Sequence, residues 1–464
     1  MSEHAPVAPD AVQTLLILGG TGDLASRLLL PGLASLLAAG RAEPLQLVGS
    51  GTEDWDDERW RAVVAGAFAG AEGDAVDAVL AGTRYARADV TDGAQLRALL
   101  DGCDGPVAVY FALPPTVTVR ACEELRRTGA PGGLRLVLEK PFGTDLASAR
   151  RLNALVADLV PEEHVHRVDH FLGMSTVLNT LGVRFANRIF EPLWSSAHVE
   201  RVDVIFDEDL ALEGRAGYYD AAGALVDMIQ SHLLQVMALL GMDAPATLGE
   251  RDLRDRKAEL LRATRLAGEP VEASRRARYG AGRIGDRELP AYADEEGVDP
   301  ERGTETLAEV VLAVDSWRWA GVPFRLRSGK GLGRNRQEAV VTFRPVPHVP
   351  TGLLGTPPPT RLRLSFSPDA LALDLAVNSE GSPYDLEGAQ LSTELGDPQL
   401  LPYGEVLAGV LSGDPTLSVR GDTVEECWRI LEPVIAAWRA GEVPLEEYPA
   451  GSDGPAPRGG FPAV

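Results

Sequence analysis

Residues 12–25 read VQTLLILGGTGDLA. A short apolar run of strand length passes directly into Gly19-Gly20-Thr21-Gly22, and a helix-forming stretch then runs through Arg27, Leu28 and Pro31 to Ala39. Glycine at such a turn lets the backbone approach a pyrophosphate, which is held at the N-terminus of the helix behind it. A tight strand–helix turn would explain any one of these glycines. The full pattern, Gly19-Gly20-Thr21-Gly22-x-x-Ala25, predicts a dinucleotide-binding βα unit. Gly19, Gly20, Thr21, Gly22, Asp23 and Leu24 are its cofactor-binding candidates.

The neighbouring segments extend this unit into a sheet. Pro44 to Gly49 reads as a second strand, and its loop, Ser50-Gly51-Thr52-Glu53-Asp54, should end at the adenosine ribose. A neutral Thr52 followed by two acids favours ribose hydroxyls and repels a 2′-phosphate, so the loop leans to NAD. Arg59 and Arg61 lie close enough in sequence to keep NADP open. GPVAVYFALPP (105–115) places Ala112, Leu113 and Pro114 at a strand end. In LRLVLEKPFGTDLASARRLN (134–153), a buried strand to Leu138 precedes Glu139-Lys140-Pro141-Phe142-Gly143 and a helix capped by Thr144. Strand C-termini are where open α/β sheets bind ligands.

Beyond this half the pattern changes. Val165 to His170 reads as a short strand ending on Asp169-His170. Residues 221–240 carry Leu225, Met228, Ile229, Leu233 and Val236 at helical spacing, with His232 among them. At ~100° per residue, Asp227 and His232 are about 140° apart on an α-helix. A carboxylate from elsewhere should then orient His232, and Asp169 is the nearest candidate by pattern. Taken alone, a histidine on an amphipathic helix is more often a satisfied core residue. Strand-like stretches at 199–207, 307–314, 338–344, 361–366 and 371–377, with helices between only some of them, predict a second domain. The fold expected is an α/β Rossmann domain (12–168) followed by an α+β domain with a large, mostly antiparallel sheet (169–450). Residues 1–11 and the Gly/Pro/Ala-rich 451–464 are expected to be disordered tails.

Composition narrows the function. At 464 residues with 45% hydrophobic content, the chain has ample material for two cores. A net charge of −24 argues against nucleic acid or an anionic membrane as partner. Cys103, Cys122 and Cys427 are far apart and lack metal or redox spacing, and MSEHAPVAPDAVQ lacks the features of a signal peptide. With no apolar run of membrane-spanning length read from the pattern, a cytoplasmic protein is expected. Of 44 basic residues only Lys140, Lys257 and Lys330 are lysine. A retained lysine is therefore informative, because its compact ammonium has no arginine equivalent. Lys257, in a charged stretch, is expected to be solvated.

VDHFLG (168–173), VRFANRIFEPLW (183–194), EGRAGYYDAAGAL (213–225), DMIQSHLLQ (227–235) and SWRWAGVPFRLRSGK (316–330), with GGTGDLA and EKPFG, resemble the signature segments of the glucose-6-phosphate dehydrogenase family. The resemblance covers nearly the whole chain. It implies a sugar 1-dehydrogenase that oxidises the anomeric carbon of a hexopyranose to the 1,5-lactone, with hydride passing to NAD or NADP. It further implies His232 as the base and Asp169 as its dyad partner. Sugar contacts would come from Glu208, Asp227 and Lys330, and a phosphate contact from His170. Lys140 would meet both substrate and nicotinamide ribose, with Leu113 and Pro114 on the nicotinamide side and Thr52 at the ribose. Sheet-mediated homodimers or homotetramers are also implied. A base that titrates near neutral pH suits the removal of the O1 proton.

The chain departs from the family at the phosphate. Phe171 and Met174 stand where Tyr and Lys are usual, and Leu28, Asn335 and Ser231 replace other polar positions. Each charge-assisted phosphate contact is worth ~1.5–3 kcal/mol. The expectation is a substrate lacking the 6-phosphate, glucose or a related sugar. The alternative is an ordinary glucose-6-phosphate 1-dehydrogenase with Arg334, Arg336 or Arg184 as substitute. A second alternative is a non-catalytic nucleotide-binding paralogue.

Overall fold

The computed structural model describes residues 11–214, 216–396, 399–458 and 461. The expected N-terminal tail, but for residue 11, lies outside them, as do 459–460 and 462–464 of the C-terminal one. The chain forms two compact units. One comprises residues up to Met174 with Pro245–Asp255 and Pro398–Glu425; the other comprises Ser175–Ala244, Arg256–Asp397 and the remainder from Glu426. The first boundary therefore falls a few residues beyond 168, and two segments expected in a contiguous second domain belong to the first unit.

In the first unit, six strands form one parallel sheet: β1 (Thr14–Leu18), β2 (Gln46–Gly51), β3 (Arg84–Arg87), β4 (Val107–Phe111), β5 (Arg135–Leu138) and β6 (Val165–Arg167). Their order is β3-β2-β1-β4-β5-β6. β1 and β4 are buried at every position, as strands covered by helices on both faces must be. The parallel register, Leu18↔Ser50 and Leu18↔Phe111, brings the turn after β1, the loop after β2 and the segment after β4 to one edge. The helix Pro402–Ser412 packs into this unit's core with Leu407 and Val410 fully buried. Gly32 makes room for it, because a Cβ there would lie 2.8 Å from Tyr403 Cβ. Contiguous sequence could not reveal this: the segment lies some hundreds of residues beyond the sheet it covers.

The second unit holds a ten-stranded sheet built from β7 (Val199–Asp207), β8 (Thr264–Leu266), β9 (Ser274–Gly280), β12 (Leu307–Val314), β13 (Phe324–Gly329), β14 (Arg336–Phe343), β15 (Arg361–Phe366), β16 (Asp369–Asn378), β17 (Leu386–Glu394) and β18 (Leu445–Pro449). A hairpin of β10 (Gly282–Ile284) and β11 (Arg287–Leu289) stands apart from it. The order is β17-β16-β15-β14-β7-β13-β12-β9-β18, with β8 beside β12. Pairing is antiparallel except β7–β13 and β9–β18. Ion pairs between neighbouring strands, Arg325–Asp203 at 2.8 Å and Arg327–Asp207 at 2.9 Å, oppose any slip of β13 against β7.

Four expectations are corrected by packing. Residues 451–458 are held in place: Gly451 N–H donates to Gly331 O (2.8 Å), and Arg275 Nη2 donates to Ala456 O (2.7 Å). Phe461 is buried beyond them, because β18 lays the chain back onto the sheet. Lys257 is buried on the helix Glu250–Arg262, not solvated. The helix after EKPFG is capped by Asp145, whose side chain accepts Ser148 N–H, not by Thr144. Finally, one helical stretch, Tyr219–Gly241, is long and apolar enough by length and composition to cross a membrane. Since 83% of its most apolar 18-residue window is buried inside the protein, it reads as a core helix.

Candidate active site

The first unit carries the residues expected to bind the dinucleotide. Gly19 adopts φ +84°, and a Cβ on it would meet Ala112 O at 2.2 Å, so the turn lies directly against the end of β4 next to Leu113 and Pro114. A Cβ on Gly20 would lie 3.2 Å from Gly49 Cα and from the Trp60 ring. The chain turns helical at residue 23, so Asp23 and Leu24 open the helix directly after Gly22. Backbone this bare, followed by a helix N-terminus, fits a pyrophosphate.

At the end of β2 the loop is fixed by its neighbours. Tyr85 hydroxyl donates to Glu53 O (3.1 Å), and Arg87 Nε donates to Thr52 O (3.0 Å). The Glu53 carboxylate folds back over Gly51, where a Cβ would be 2.6 Å from its Oε2. There it accepts a hydrogen bond from Thr21 Oγ1 at 3.0 Å. Asp54 pairs with Arg87 at 3.0 Å, and the Arg59 guanidinium lies over the Trp55 ring at 4.5 Å.

Lys140 follows a carboxyl that sequence reading passed over. Glu139 accepts a hydrogen bond from the Tyr110 hydroxyl and another from Tyr403. Burial pushes its pKa up to about 7, opposed by those hydrogen bonds and by the Lys140 charge. Tyr403 also stacks on His170, ring centroids 5.6 Å apart and 19° from parallel. Asp169 is buried, and its Oδ1 accepts Phe171 N–H at 3.0 Å. Phe171 is buried beside His170, and Met174 ends this short turn half-buried. Glu139 stood in view within EKPFG, whereas nothing local to Tyr403 marked it.

The second unit carries the residues expected to meet the sugar. The parallel register Asp207↔Gly329 places Glu208 and Lys330 side by side just past the ends of β7 and β13. Lys330 Nζ lies 2.6 Å from Glu208 Oε2 and 5.5 Å over the ring of Tyr219. The Tyr219 hydroxyl is buried and finds no hydrogen-bond partner among the described residues, and burial, then the Glu305 and Asp227 charges, hold its pKa well above the usual phenol range. Asp227 and His232 lie on the helical segment Leu225–Leu233, which has π geometry. That changes the expectation drawn from ideal α spacing: i→i+5 hydrogen bonding brings residues five apart about one turn from each other. Asp227 and His232 therefore project from neighbouring positions on one face. His232 is 1% exposed, and Asp227 is half-buried.

The arginines considered as phosphate ligands are not equivalent. Arg184 is fully buried, donating to Leu239 O (3.1 Å) and pairing with Glu191 (3.0 Å). Burial lowers its pKa to about 10. It is held in the core and does not serve as a mobile substitute. Arg336 pairs with Glu338. The Arg334 side chain is 61% exposed, and its Asp453 partner lies 3.4 Å away on an open surface. Asn335 Oδ1 accepts Asp209 N–H at 3.0 Å.

Comparison with known proteins agrees with this division. Residues 16–179 match the family model described as glucose-6-phosphate dehydrogenase, NAD binding domain, and residues 181–460 match its C-terminal domain. A glucose-6-phosphate 1-dehydrogenase of Zymomonas mobilis is 36% identical over 472 residues, covering 96% of each chain. Glucose-6-phosphate 1-dehydrogenase 2 of Mycobacterium tuberculosis is 37% identical over 471 residues, covering 95% of this chain and 91% of that one. Among solved structures, a glucose-6-phosphate dehydrogenase in complex with its substrate glucose 6-phosphate superposes with a TM-score of 0.86 at 27% identity over 97% of this chain and 96% of that one. The enzyme of Mycobacterium avium gives 0.84 at 32% identity, covering 96% and 95%.

Proposed function

Because the chain belongs to the glucose-6-phosphate dehydrogenase family, we propose that it is an ordinary glucose-6-phosphate 1-dehydrogenase, oxidising C1 of glucose 6-phosphate to the 1,5-lactone. The family evidence favours this over the phosphate-free sugar expected from Phe171 and Met174. The protein is an NAD(P)-dependent oxidoreductase, and the dinucleotide supplies the hydride acceptor when bound. Gly19, Gly20, Thr21, Gly22, Asp23 and Leu24 would hold its pyrophosphate, Thr52 and Glu53 its ribose, and Leu113, Pro114 and Lys140 its nicotinamide side.

The observation that carries the reading is the placement of Glu208 and Lys330 at adjoining strand ends, with Asp227 and His232 on one face of a π segment in the same unit. In the reaction His232 takes the O1 proton as C1 loses hydride, and the ring carbon becomes the lactone carbonyl. Asp169 orients the imidazole and stabilises its protonated form. Glu208, Asp227 and Lys330 bind the sugar hydroxyls and hold C1 in one orientation. His170 and Lys140 complete the substrate contacts, and Phe171 and Met174 line the phosphate end. Arg334, whose side chain is the most exposed of the three arginines at 61%, is the candidate to supply a cation to the phosphate. The Glu53 carboxylate, hydrogen-bonded back to Thr21, favours NAD over NADP. Homodimers or homotetramers complete the assembly.

Initial rates with glucose and glucose 6-phosphate, each against NAD and NADP, test the reading. Turnover of glucose 6-phosphate at the highest kcat/KM supports it. Preference for free glucose returns the choice to the phosphate-free sugar, and no turnover with either coenzyme removes the enzyme.

A further inference from the structure

We propose that Glu305 is a positioning residue for this reaction, an N-terminal clamp on the helical segment that carries Asp227 and His232. It rests on the functional reading above for its link to catalysis, but its geometry stands on its own.

The core helix of the second unit is interrupted. Within Ala216–Ala224 the backbone of Gly223 leaves helical geometry at φ 68° and ψ 170°, and the chain restarts as Leu225–Leu233. A restarted helix has orphan N–H groups at its first residues, and buried ones must find acceptors. Both acceptors come from one residue. Glu305 O accepts Ala224 N–H at 3.2 Å, and Glu305 Oε1 accepts Leu225 N–H at 2.9 Å. The break and the clamp fit each other. A Cβ on Gly223 would lie 2.3 Å from Glu305 Oε1, so the carboxyl occupies the space that a side chain at 223 would need.

Glu305 is well placed for this because it lies just ahead of β12. The antiparallel register Leu307↔Gly329 puts the start of β12 beside the end of β13, and Lys330 N–H donates to Thr306 O at 2.9 Å. The same strand end thus fixes the backbone of Lys330 and, through Glu305, the start of the segment bearing His232. Glu305 is buried, with Tyr219, Tyr292 and the Arg276 guanidinium in electrostatic range. Without the carboxyl, the buried Leu225 N–H loses its acceptor while Ala224 N–H keeps the backbone carbonyl of residue 305, and the first turn can shift, taking Asp227 and His232 with it.

The test uses the full-length protein with Glu305→Gln, which keeps an acceptor oxygen, and Glu305→Leu, which fills the space without one. Glu305→Leu should lower kcat on glucose 6-phosphate by roughly ten- to hundred-fold, the scale of one buried hydrogen bond to a charged group, while coenzyme affinity measured without sugar stays unchanged. Glu305→Gln should restore kcat to within about threefold, since the acceptor and not the charge does the positioning. A folded Glu305→Leu protein with wild-type kcat overturns the proposal, and so does a Glu305→Gln variant as slow as Glu305→Leu. Amide hydrogen exchange on the wild-type protein decides the matter should Glu305→Leu not fold. Slow exchange at Ala224 and Leu225 supports the clamp; exchange as fast as in exposed loops overturns it. Wild-type protein inert to glucose 6-phosphate with both coenzymes would sink the functional reading instead, and the exchange measurement would still judge the clamp.

Discussion

Lys330 Nζ lies 2.6 Å from Glu208 Oε2, and both side chains remain partly open, at 17% and 16% exposure. With most of the pair's surface removed from water, desolvation of both ions offsets much of their attraction, so the pair adds little net stability. It is more useful as a donor–acceptor couple for a sugar hydroxyl, which can accept from one group and donate to the other. Lys330→Met should therefore raise KM for the sugar by roughly ten- to hundred-fold, at 1.4 kcal/mol per factor of ten for a lost charge-assisted bond. Coenzyme affinity, read by fluorescence titration without sugar, should not move. A coenzyme effect as large as the sugar effect would take Lys330 out of the sugar half.

His232→Asn removes the base but leaves a polar side chain of similar volume. General-base catalysis contributes on the order of 10²–10⁴, so kcat should fall by that range with KM little changed. Asp169→Asn should fall in the same direction. If the two form one functional pair, the double variant should be no slower than the worse single variant. Losses that multiply would mean that Asp169 acts elsewhere.

Much of this was legible in the sequence because the signals were local. The run into Gly19-Gly20-Thr21-Gly22 announced a parallel sheet and a tight strand–helix turn, and the strands read in the second unit came close in length to those seen. What escaped depended on contacts between distant segments or on backbone that departs from the ideal. Pro402–Ser412 joins the first unit's core across hundreds of residues, and Tyr403 comes with it. Asp227 and His232 were set apart by an assumed 100° step, which the π segment does not keep. Glu305 showed no pattern at all, since its role appears only once Gly223 is seen to break the helix.

Coenzyme choice should turn on Glu53. Its carboxylate is held by Thr21 at 3.0 Å, and with the ribose bound at this loop, as proposed, it would repel a 2′-phosphate. Glu53→Ser should tighten NADP relative to NAD by roughly ten-fold, one like-charge contact at 1.4 kcal/mol. Adding Thr52→Arg should push the ratio further. Dissociation constants for both coenzymes, measured without sugar, give the answer. An unchanged ratio would leave the choice to residues outside the loop.

Arg334→Ala should weaken glucose 6-phosphate while leaving the rate on free glucose unchanged, because only the phosphate loses a partner. Met174→Lys in that background should restore part of the loss by returning an ammonium to the phosphate end, and Phe171→Tyr should add to it. Initial rates on the two sugars separate these outcomes. Equal losses on both sugars would place Arg334 in the fold and not at the phosphate.

Stability should carry a pH signature from Glu139. Burial raises its pKa from 4.5 to about 7, although the Tyr110 and Tyr403 hydrogen bonds and the Lys140 charge oppose the shift. Between those two values the folded protein holds a proton that the unfolded chain has lost, so folding grows less favourable as pH rises through the window. At ~1.4 kcal/mol per unit, the whole shift amounts to roughly 3 kcal/mol. Below 4.5 both states are protonated and above 7 both are ionised, so the effect is confined between them. Glu139→Gln has no proton to lose and should escape the penalty, keeping a group that hydrogen-bonds to Tyr110. The stability difference, variant minus wild type, measured by urea unfolding at pH 5 and pH 8, should therefore shift in the variant's favour at the higher pH. A difference that stays level would mean that the carboxyl ionises near its ordinary value, with the two phenols and Lys140 fully offsetting its burial.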